Sequence, residues 1–302
     1  MRLAILSRKR TLYATRRLVE AAERRGHEAV VLDPTACWIV CDGESPAIHH
    51  KAGRKALGEI DVVLPRIGGA VGDYSLAVVR QFEMTGVPVV NGSAAIGCSR
   101  DKLRSLQFLS QHGIDIPKTV MARGPAHLDG ALRIVGGPPV VLKLIHGTQG
   151  IGVMLAETGE ALESILHTLW SLGQNILIQE FVAESRGRDV RALVVGDRVV
   201  AAMKRTARIG DFRSNIHRGG SGRIVGLSSA HERLALHAAR ILGLEVAGVD
   251  MLESCTGPKV IEINSSPGFE GLEKATGLDI AGAIVQHAFE QSSAMMRERS
   301  VF

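Results

Sequence analysis

A strand pattern near the end of the chain constrains the fold more than any other stretch. Residues 260–268 read Val-Ile-Glu-Ile-Asn-Ser-Ser-Pro-Gly, in which apolar and polar residues alternate before a turn. Because successive side chains of a strand point to opposite faces, Glu262 and Asn264 are predicted to share one face. Ile261 and Ile263 are predicted to pack into apolar surroundings. The stretch therefore predicts a strand that presents two oxygen-bearing side chains together.

A second strand precedes this one and carries a single acid. Residues 246–252 are apolar except for Asp250 and one glycine. If a turn near residues 256–258 joins the two strands as a hairpin, Asp250 reaches the face of Glu262 and Asn264. Carboxylate and amide oxygens suit Mg²⁺ better than Zn²⁺, so this hairpin is a candidate magnesium site. A hairpin whose polar residues merely face solvent explains the same pattern equally well.

The N-terminal part of the chain alternates between strand and helix patterns. The patterns predict strands at residues 2–6, 27–32, 60–65 and 88–91, and helices at residues 12–25 and 74–85. Such alternation is typical of a parallel sheet with helices on both faces. Arg66 follows directly after a predicted strand, at the edge where open α/β sheets bind ligands. It is either a receptor for a substrate carboxylate or an ordinary surface arginine.

A lysine next to a glycine-rich turn is the clearest phosphate-binding signal. Lys143 lies inside the apolar strand 140–145, where an unpaired ammonium is costly. The turn at residues 147–152 contains three glycines, whose exposed N–H groups can cradle phosphate oxygens. The Walker A pattern G-x-x-x-x-G-K-[ST] and the dinucleotide pattern G-x-G-x-x-G are both absent. The pattern predicts a phosphate site of another kind.

Two further segments carry polar residues in a recognisable arrangement. Residues 188–195 and 198–205 flank Gly196-Asp197 and predict a hairpin in which Asp189 and Arg191 share a face. Residues 210–220 form the most polar segment of this region. Such a loop is either a surface loop or a ligand-binding lid.

Composition narrows the function classes. The chain has 302 residues, 45% of them hydrophobic and 22% charged, with a formal net charge of +5, which favours anionic partners. With only two Trp and two Tyr to stack on bases, we expect no direct nucleic-acid site. No apolar run approaches the roughly 20 residues that span a bilayer, and the start lacks a signal-peptide pattern. The expectation is a cytoplasmic protein, with its scattered cysteines (Cys37, Cys41, Cys98 and Cys255) reduced.

The order of these motifs resembles the ATP-grasp superfamily. The matching positions, in chain order, are Lys102, Lys143, residues 179–181, Asp189, Asp250 and residues 262–264. Within the superfamily, the blocks at residues 4–7, 11–13, 65–68, 80–84 and 210–215 resemble RimK. RimK is the ligase that adds glutamate to the C-terminus of the sixth protein of the small ribosomal subunit. The resemblance covers nearly the whole chain.

The resemblance implies a fold and a domain division. It implies an α/β pre-ATP-grasp domain with a parallel sheet at residues 1–103, followed by an α+β ATP-grasp domain at residues 104–290. The latter divides into a nucleotide-lid subdomain at about residues 115–185 and a catalytic subdomain at about residues 186–290. Residues 291–302 form a tail.

The resemblance also implies the role of each site residue. Those that hold ATP are Lys102 and Lys143 (phosphates), Glu180 and Phe181 (adenine), Asp189 (ribose), and Arg213, Ser214 and Asn215. Those that bind two Mg²⁺ or Mn²⁺ ions are Asp250, Glu262 and Asn264, with Glu262 bridging. Arg191 is expected to face the reacting carboxylate. His146 and Phe181 depart from the family pattern, which has an acid and often a tyrosine there.

The activity that the resemblance implies is ATP-dependent addition of L-glutamate to the C-terminal carboxylate of a small-subunit ribosomal protein, through an acylphosphate. It also suggests a homo-oligomer, such as a tetramer. One alternative keeps the reaction and changes the acceptor to a coenzyme or an amino-acid carrier protein. Another is a nucleotide-binding regulatory module without catalysis. The complete set of metal ligands favours an enzyme, because a module that only binds nucleotide does not need it.

Overall fold

The computed structural model describes residues 1–41, 47–51, 57–68, 72–145, 152–214 and 219–299. The predicted glycine-rich turn up to Ile151, His146 and Asn215 lie outside the described residues. The strands are β1 (Arg2–Leu6), β2 (Glu28–Leu32), β3 (Cys37–Val40), β4 (Ala47–His50), β5 (Val62–Pro65), β6 (Thr119–Ala122), β7 (Val140–Leu144), β8 (Val153–Ala156), β9 (Ile176–Glu180), β10 (Arg188–Val195), β11 (Arg198–Thr206), β12 (Ser221–Ile224), β13 (Val246–Ser254) and β14 (Gly257–Asn264). The helices are α1 (Tyr13–Glu23), α2 (Asp73–Met84), α3 (Ser93–Arg100), α4 (Lys102–Gln111), α5 (Leu128–Val135), α6 (Gly159–Ser171), α7 (Ser229–Ile241), α8 (Glu270–Thr276) and α9 (Ile280–Arg299).

The N-terminal part is built on the predicted parallel sheet. Its strand order is β2-β1-β5, and both neighbours run parallel to β1, which is buried from Leu3 to Leu6. The predicted strand at residues 88–91 is wrong, since only the single bridge between Val63 and Val89 forms. The chain leaves the sheet at Asn91 and enters α3 two residues later, so there is no room for a longer ladder. The antiparallel ribbon of β3 and β4 was not predicted, because its sequence shows no clear alternation.

Two antiparallel sheets make up the rest of the chain. The sheet β6-β9-β7-β8 packs against α5 and α6 through a core that includes Leu142, Leu162 and Ile178. The sheet β12-β11-β10-β13-β14 packs one face against α7. The other face of this sheet shares a hydrophobic core with α9, Phe269 and the N-terminal part. Both predicted hairpins, β10–β11 and β13–β14, are present in this sheet.

A β-bulge in β14 changes the predicted facing of the acid-bearing strand. Met251 pairs with Val260, whereas Asp250 pairs with Glu262, so Ile261 is the extra residue without a cross-strand partner. The prediction that Ile261 packs into the core is therefore wrong, and it lines a cavity instead. The buried residues of β14 are Val260 and Ile263. The bulge leaves Glu262 directly opposite Asp250, on one face of the sheet.

A buried asparagine joins the N-terminal sheet to the acid-bearing hairpin. Asn91 is 1% exposed, and its Nδ2 donates to the carbonyls of Val246 (2.7 Å) and Ser265 (2.8 Å). Its Oδ1 accepts from the backbone N–H groups of Glu245 (2.7 Å) and Val246 (2.8 Å). One side chain therefore fixes both the start of β13 and the turn after β14. These two elements carry the candidate metal ligands.

Glycine is required where this turn crosses β13. A Cβ atom built on Gly248 would lie 2.8 Å from Cβ of Pro267, which is closer than real Cβ atoms approach. The absence of a side chain thus lets the Ser-Ser-Pro-Gly turn pack directly on the strand.

All four cysteines are free, as predicted. Among the described residues, no helix combines the length and apolarity needed to cross a membrane.

The Asn91 hydrogen bonds lead to a stability prediction. Asn91→Ala removes four hydrogen bonds to backbone groups, three of them buried, so we expect it to lower the free energy of unfolding by about 2–4 kcal/mol. The matched control is Asn175→Ala, because Asn175 is exposed and precedes β9; we expect a change of at most about 0.5 kcal/mol there. Urea unfolding of both variants measures the difference. Equal midpoints would contradict the structural role given to Asn91.

Candidate functional site

A cavity between the two antiparallel sheets brings most of the predicted site residues together. β7, β8 and β9 line one side, and β10, β11, β13 and β14 line the other. The predicted residues in its wall are Lys102, Lys143, Glu180, Phe181, Asp189, Arg213, Ser214, Asp250 and Glu262. These residues are far apart in the sequence, so the fold alone assembles them.

A second cavity adjoins the first and continues toward the N-terminal part. Lys102 and Glu262 line both cavities, which places them where the two meet. Asn264, Ser265, Ser266 and Arg100 line only the second cavity. Arg191 lines neither cavity. The site is therefore a pair of chambers with a lysine and a carboxylate between them.

The two lysines are held at reduced basicity. Burial lowers the pKa of Lys143 to about 8, and the carboxylate of Glu262 offsets part of that effect. Burial also lowers the pKa of Lys102, whose Nζ donates to the carbonyl of Ile145 (3.3 Å). Asp101 caps the N-terminus of α4 and so fixes the start of the helix that carries Lys102. Two ammonium groups in one cavity wall suit an anionic ligand.

A buried arginine, which the sequence analysis missed, lies between two of the predicted acids. Arg205 is 3% exposed and donates to Asp189 (Nε to Oδ1, 2.6 Å), while its Nη2 lies 2.9 Å from Oδ2 of Asp250. Although burial opposes its charge, the two carboxylates raise the pKa of Arg205. A two-residue turn would place Lys204 opposite Asp189. Because Val200 of β11 is an extra residue without a cross-strand partner, Arg205 lies there instead, and local alternation could not reveal this shift.

Asp250 is an ionised carboxylate in a buried position. Arg191 donates to it with both arms of its guanidinium, at 2.6 Å each. Burial alone raises the pKa of Asp250, but Arg191 and Arg205 outweigh it, and the net pKa is lowered. Arg191 was predicted to face the reacting carboxylate. In the structure its observed partner is Asp250, so its direct effect is on a candidate metal ligand.

The remaining predicted site residues lie in the polar loop at residues 210–220 and at the end of β9. Ser214 donates to Asp189 (2.6 Å), which already accepts from Arg205. Arg213 donates to the carbonyl of Val153 on the facing sheet (3.3 Å). At the other end of the cavity, the Glu180 carboxylate accepts from the backbone of Lys118 (3.0 Å).

Phe181 lies beside Glu180 in the cavity wall, and the Arg186 guanidinium is 5.7 Å from its ring centre. Near these residues the cavity has backbone groups and an aromatic face, both of which suit a flat heterocycle.

The donors at the cavity junction fit a magnesium ion in their chemistry. Glu262 and Asn264 share one face of β14, and Asp250 lies opposite Glu262 on β13. All three offer hard oxygens. Nδ2 of Asn264 is buried without a hydrogen-bond partner; this N–H group needs an acceptor, whereas a metal ion would bind the amide oxygen. Within the described ranges, no cluster of three His, Cys, Asp or Glu side chains suits a metal.

Two family profiles together match most of the chain. The profile described as RimK-like ATP-grasp domain matches residues 99–288, and the one described as RimK PreATP-grasp domain matches residues 1–96. The chain is 54% identical over 285 residues to a protein of Shewanella frigidimarina (strain NCIMB 400) named "Probable alpha-L-glutamate ligase 2". That alignment covers 94% of this chain and 95% of the relative.

Solved structures share the fold over nearly the whole chain. A RimK domain protein ATP-grasp from Sphaerobacter thermophilus DSM 20745 has a TM-score of 0.73 at 26% identity and covers 95% of this chain and 99% of its own. The ATP-grasp ligase PsnB, complexed with minimal precursor, Mg and ADP, has a TM-score of 0.74 at 20% identity, with 97% and 98% covered. These matches confirm the predicted fold class, a pre-ATP-grasp domain followed by an ATP-grasp fold.

The buried ion cluster predicts a large effect on stability. Arg205→Met leaves Asp189 and Asp250 buried with fewer cations, so we expect it to lower the free energy of unfolding by about 3–5 kcal/mol. Arg198→Met is the control on the same strand, because Arg198 is exposed; we expect a change of about 0.5 kcal/mol or less. Chemical denaturation of both variants gives the comparison. An unfolding midpoint of Arg205→Met equal to that of the wild type would rule out the bridging role.

The lowered pKa of Lys143 predicts a pH dependence of ATP binding. The ammonium is charged below about pH 8 and neutral above it. Because only the charged form attracts a triphosphate, we expect ATP, titrated with a metal chelator present, to bind about tenfold more weakly at about pH 9 than at about pH 7. Lys143→Arg stays charged throughout this range and should flatten the profile. If both proteins gave the same profile, Lys143 would not be the group responsible.

Proposed function

The chain belongs to the RimK-like ATP-grasp family, and on this basis we propose that it is an ATP-dependent ligase that joins L-glutamate to the C-terminal carboxylate of a small-subunit ribosomal protein. The observation that carries the proposal is the cavity between the two antiparallel sheets, whose wall contains two lysines and two candidate metal ligands. A relative at 54% identity over almost its full length is named as a glutamate ligase, which supports glutamate as the amino acid added.

ATP occupies the cavity between the two sheets in this proposal. Lys102 and Lys143 contact its phosphates, since both place an ammonium group in the wall of this cavity. The backbone at Glu180 and the ring of Phe181 hold the adenine, and Asp189 holds the ribose. Asp189 already accepts three hydrogen bonds from Arg205 and Ser214, which leaves it one acceptor position for a hydroxyl. Arg213, Ser214 and Asn215 complete the nucleotide site.

Asp250, Glu262 and Asn264 would hold two Mg²⁺ or Mn²⁺ ions. Bound metal supplies charge neutralisation for the transferring phosphoryl group. The proposal gives Arg191 the role of fixing the orientation of Asp250, because both arms of its guanidinium are bound there.

The reaction follows from the poor leaving ability of a carboxylate oxygen. The acceptor carboxylate attacks the γ-phosphorus of ATP, the bond to ADP breaks, and an acylphosphate forms. The amine of L-glutamate then attacks the acyl carbon, loses a proton and expels phosphate, which leaves an amide. The lysines act by position and charge, so no nucleophile of the chain takes part.

Mass measurement of the acceptor tests the proposal directly. Purified protein, ATP, Mg²⁺ and L-glutamate are incubated with the ribosomal protein or its C-terminal peptide, and we expect additions of whole glutamyl residues. A parallel panel of coenzyme and carrier-protein acceptors, scored by ADP release, identifies another acceptor if the ribosomal one is inert. If no acceptor stimulates ADP release while ATP still binds, the protein is a nucleotide-binding module and the proposal fails.

The metal assignment has its own test. Glu262→Gln replaces a charged oxygen donor by a neutral amide, and we expect turnover to fall at least about 100-fold, because stabilisation of the transferring charge is lost. Glu270→Gln is the control, since Glu270 is exposed on α8, and it should keep the wild-type rate. Thermal unfolding of both variants shows whether the fold survives. A Glu262→Gln protein that turns over normally would remove Glu262 from the site.

A further inference from the structure

Arg66 lies where the N-terminal sheet meets the turn that follows β14. It comes directly after β5, and its backbone N–H donates to the carbonyl of Leu6 (2.9 Å). Its side chain crosses to the other part of the chain, where Nη2 donates to the carbonyl of Pro267 (2.6 Å). Its guanidinium carbon lies 5.7 Å from the ring centre of the buried Phe269. The side chain is therefore partly buried in a junction between domains.

The charge of Arg66 has no counter-ion in the described part of the chain. Burial lowers its pKa to about 10, and no carboxylate opposes that shift. Its Nε is buried without a hydrogen-bond partner. A carbonyl and an aromatic face compensate the charge of a guanidinium only in part, because its five N–H donors are best matched by a planar anion. Arg205 and Arg191, by contrast, are both paired with carboxylates.

The second cavity lies beside this unpaired charge. Ile67 and Gly68, which follow Arg66 in the sequence, line it, as do Ser265 and Ser266, which precede its hydrogen-bond acceptor Pro267. The same cavity reaches Glu262 and Lys102, where the phosphoryl transfer is proposed. Arg66 is not itself in the cavity wall, so a molecule that fills the cavity would have one end at the reacting centre and the other against Ile67 and Ser266, which adjoin Arg66 and its acceptor Pro267.

We propose that Arg66 binds a carboxylate of the substrate that does not itself react. This inference rests on the proposed function and deepens it. L-Glutamate enters with two carboxylates that keep their charge throughout the reaction, and an acceptor that ends in an acidic residue carries one more. Either source has the planar, anionic group that a guanidinium recognises. The contact selects an acidic substrate over its neutral amide.

Direct binding to the full chain, in the presence of Mg²⁺ and a non-hydrolysable ATP analogue, tests this inference. The probes are L-glutamate, an acceptor peptide ending in glutamate, and glutarate as a bare dicarboxylate. Arg66→Gln removes the charge but keeps an N–H donor for the carbonyl of Pro267. We expect it to weaken binding of the recognised probe about tenfold or more and to leave binding of the ATP analogue unchanged. Arg24→Gln, at an exposed arginine directly after α1, controls for the loss of one charge.

The arms of the experiment separate the possible outcomes. Loss on the glutamate arm assigns Arg66 to the incoming amino acid, and loss on the peptide arm assigns it to the acceptor. Arg66→Lys, which restores the charge, should recover part of the lost affinity. Unchanged binding of all probes by Arg66→Gln overturns the inference. A parallel fall in melting temperature and ATP-analogue affinity shows a purely structural clamp, which also overturns it.

A measurement on the unmodified protein covers the case in which Arg66→Gln does not fold. Phenylglyoxal modifies accessible arginines, and the extent at each position is read by mass spectrometry of peptides. The recognised probe is expected to slow modification of Arg66 and to leave Arg24 unaffected. Equal rates with and without every probe count against the inference. If glutarate protects Arg66 but glutamate is never transferred, the proposed function fails and the carboxylate site stands.

Discussion

One buried arginine between two carboxylates is the interaction on which the site depends. Arg205 bridges Asp189 on β10 and Asp250 on β13, and these two strands are neighbours in the C-terminal sheet. Burial alone would favour the neutral form of Asp250, and a neutral acid would be a poor metal ligand. With Arg205 and Arg191 in place, Asp250 stays ionised despite its burial. The cluster thus prepares charged groups before any ligand arrives.

The placement of that cluster depends on two β-bulges. A regular ladder would put Lys204 opposite Asp189 and Ile261 opposite Asp250. One extra residue in β11 and one in β14 bring Arg205 and Glu262 to those positions instead. Because a shift of one residue exchanges the two faces of a strand, the same sequence without bulges would turn these charges away from the cavity.

The bulges also explain which features the sequence could predict. The hairpin β13–β14, the parallel N-terminal sheet and the shared face of Glu262 and Asn264 follow from local alternation and turn residues. Arg205 and Ile261 do not, since their facing depends on a register that alternation cannot reveal. Asn91 escaped notice for a related reason: its four hydrogen bonds go to backbone groups more than one hundred and fifty positions away, and nothing near it in the sequence signals them. The family resemblance supplied the roles of the remaining residues, as expectations for experiment.

The hydrogen bonds of Asn91 also determine which parts of the molecule can separate at a low cost in free energy. They connect the N-terminal sheet to β13 and to the Ser-Ser-Pro-Gly turn. Separating that sheet from the hairpin would therefore leave buried backbone groups without hydrogen-bond partners. The sheet β6-β9-β7-β8 meets the opposite wall of the cavity through contacts of another kind, such as Arg213 with the carbonyl of Val153 and the exposed pair Arg186–Glu157. Solvent can replace these at little cost. Breaking these contacts therefore costs less than breaking the bonds of Asn91, so we expect the sheet β6-β9-β7-β8 to shift against the rest of the chain more easily than the N-terminal sheet does.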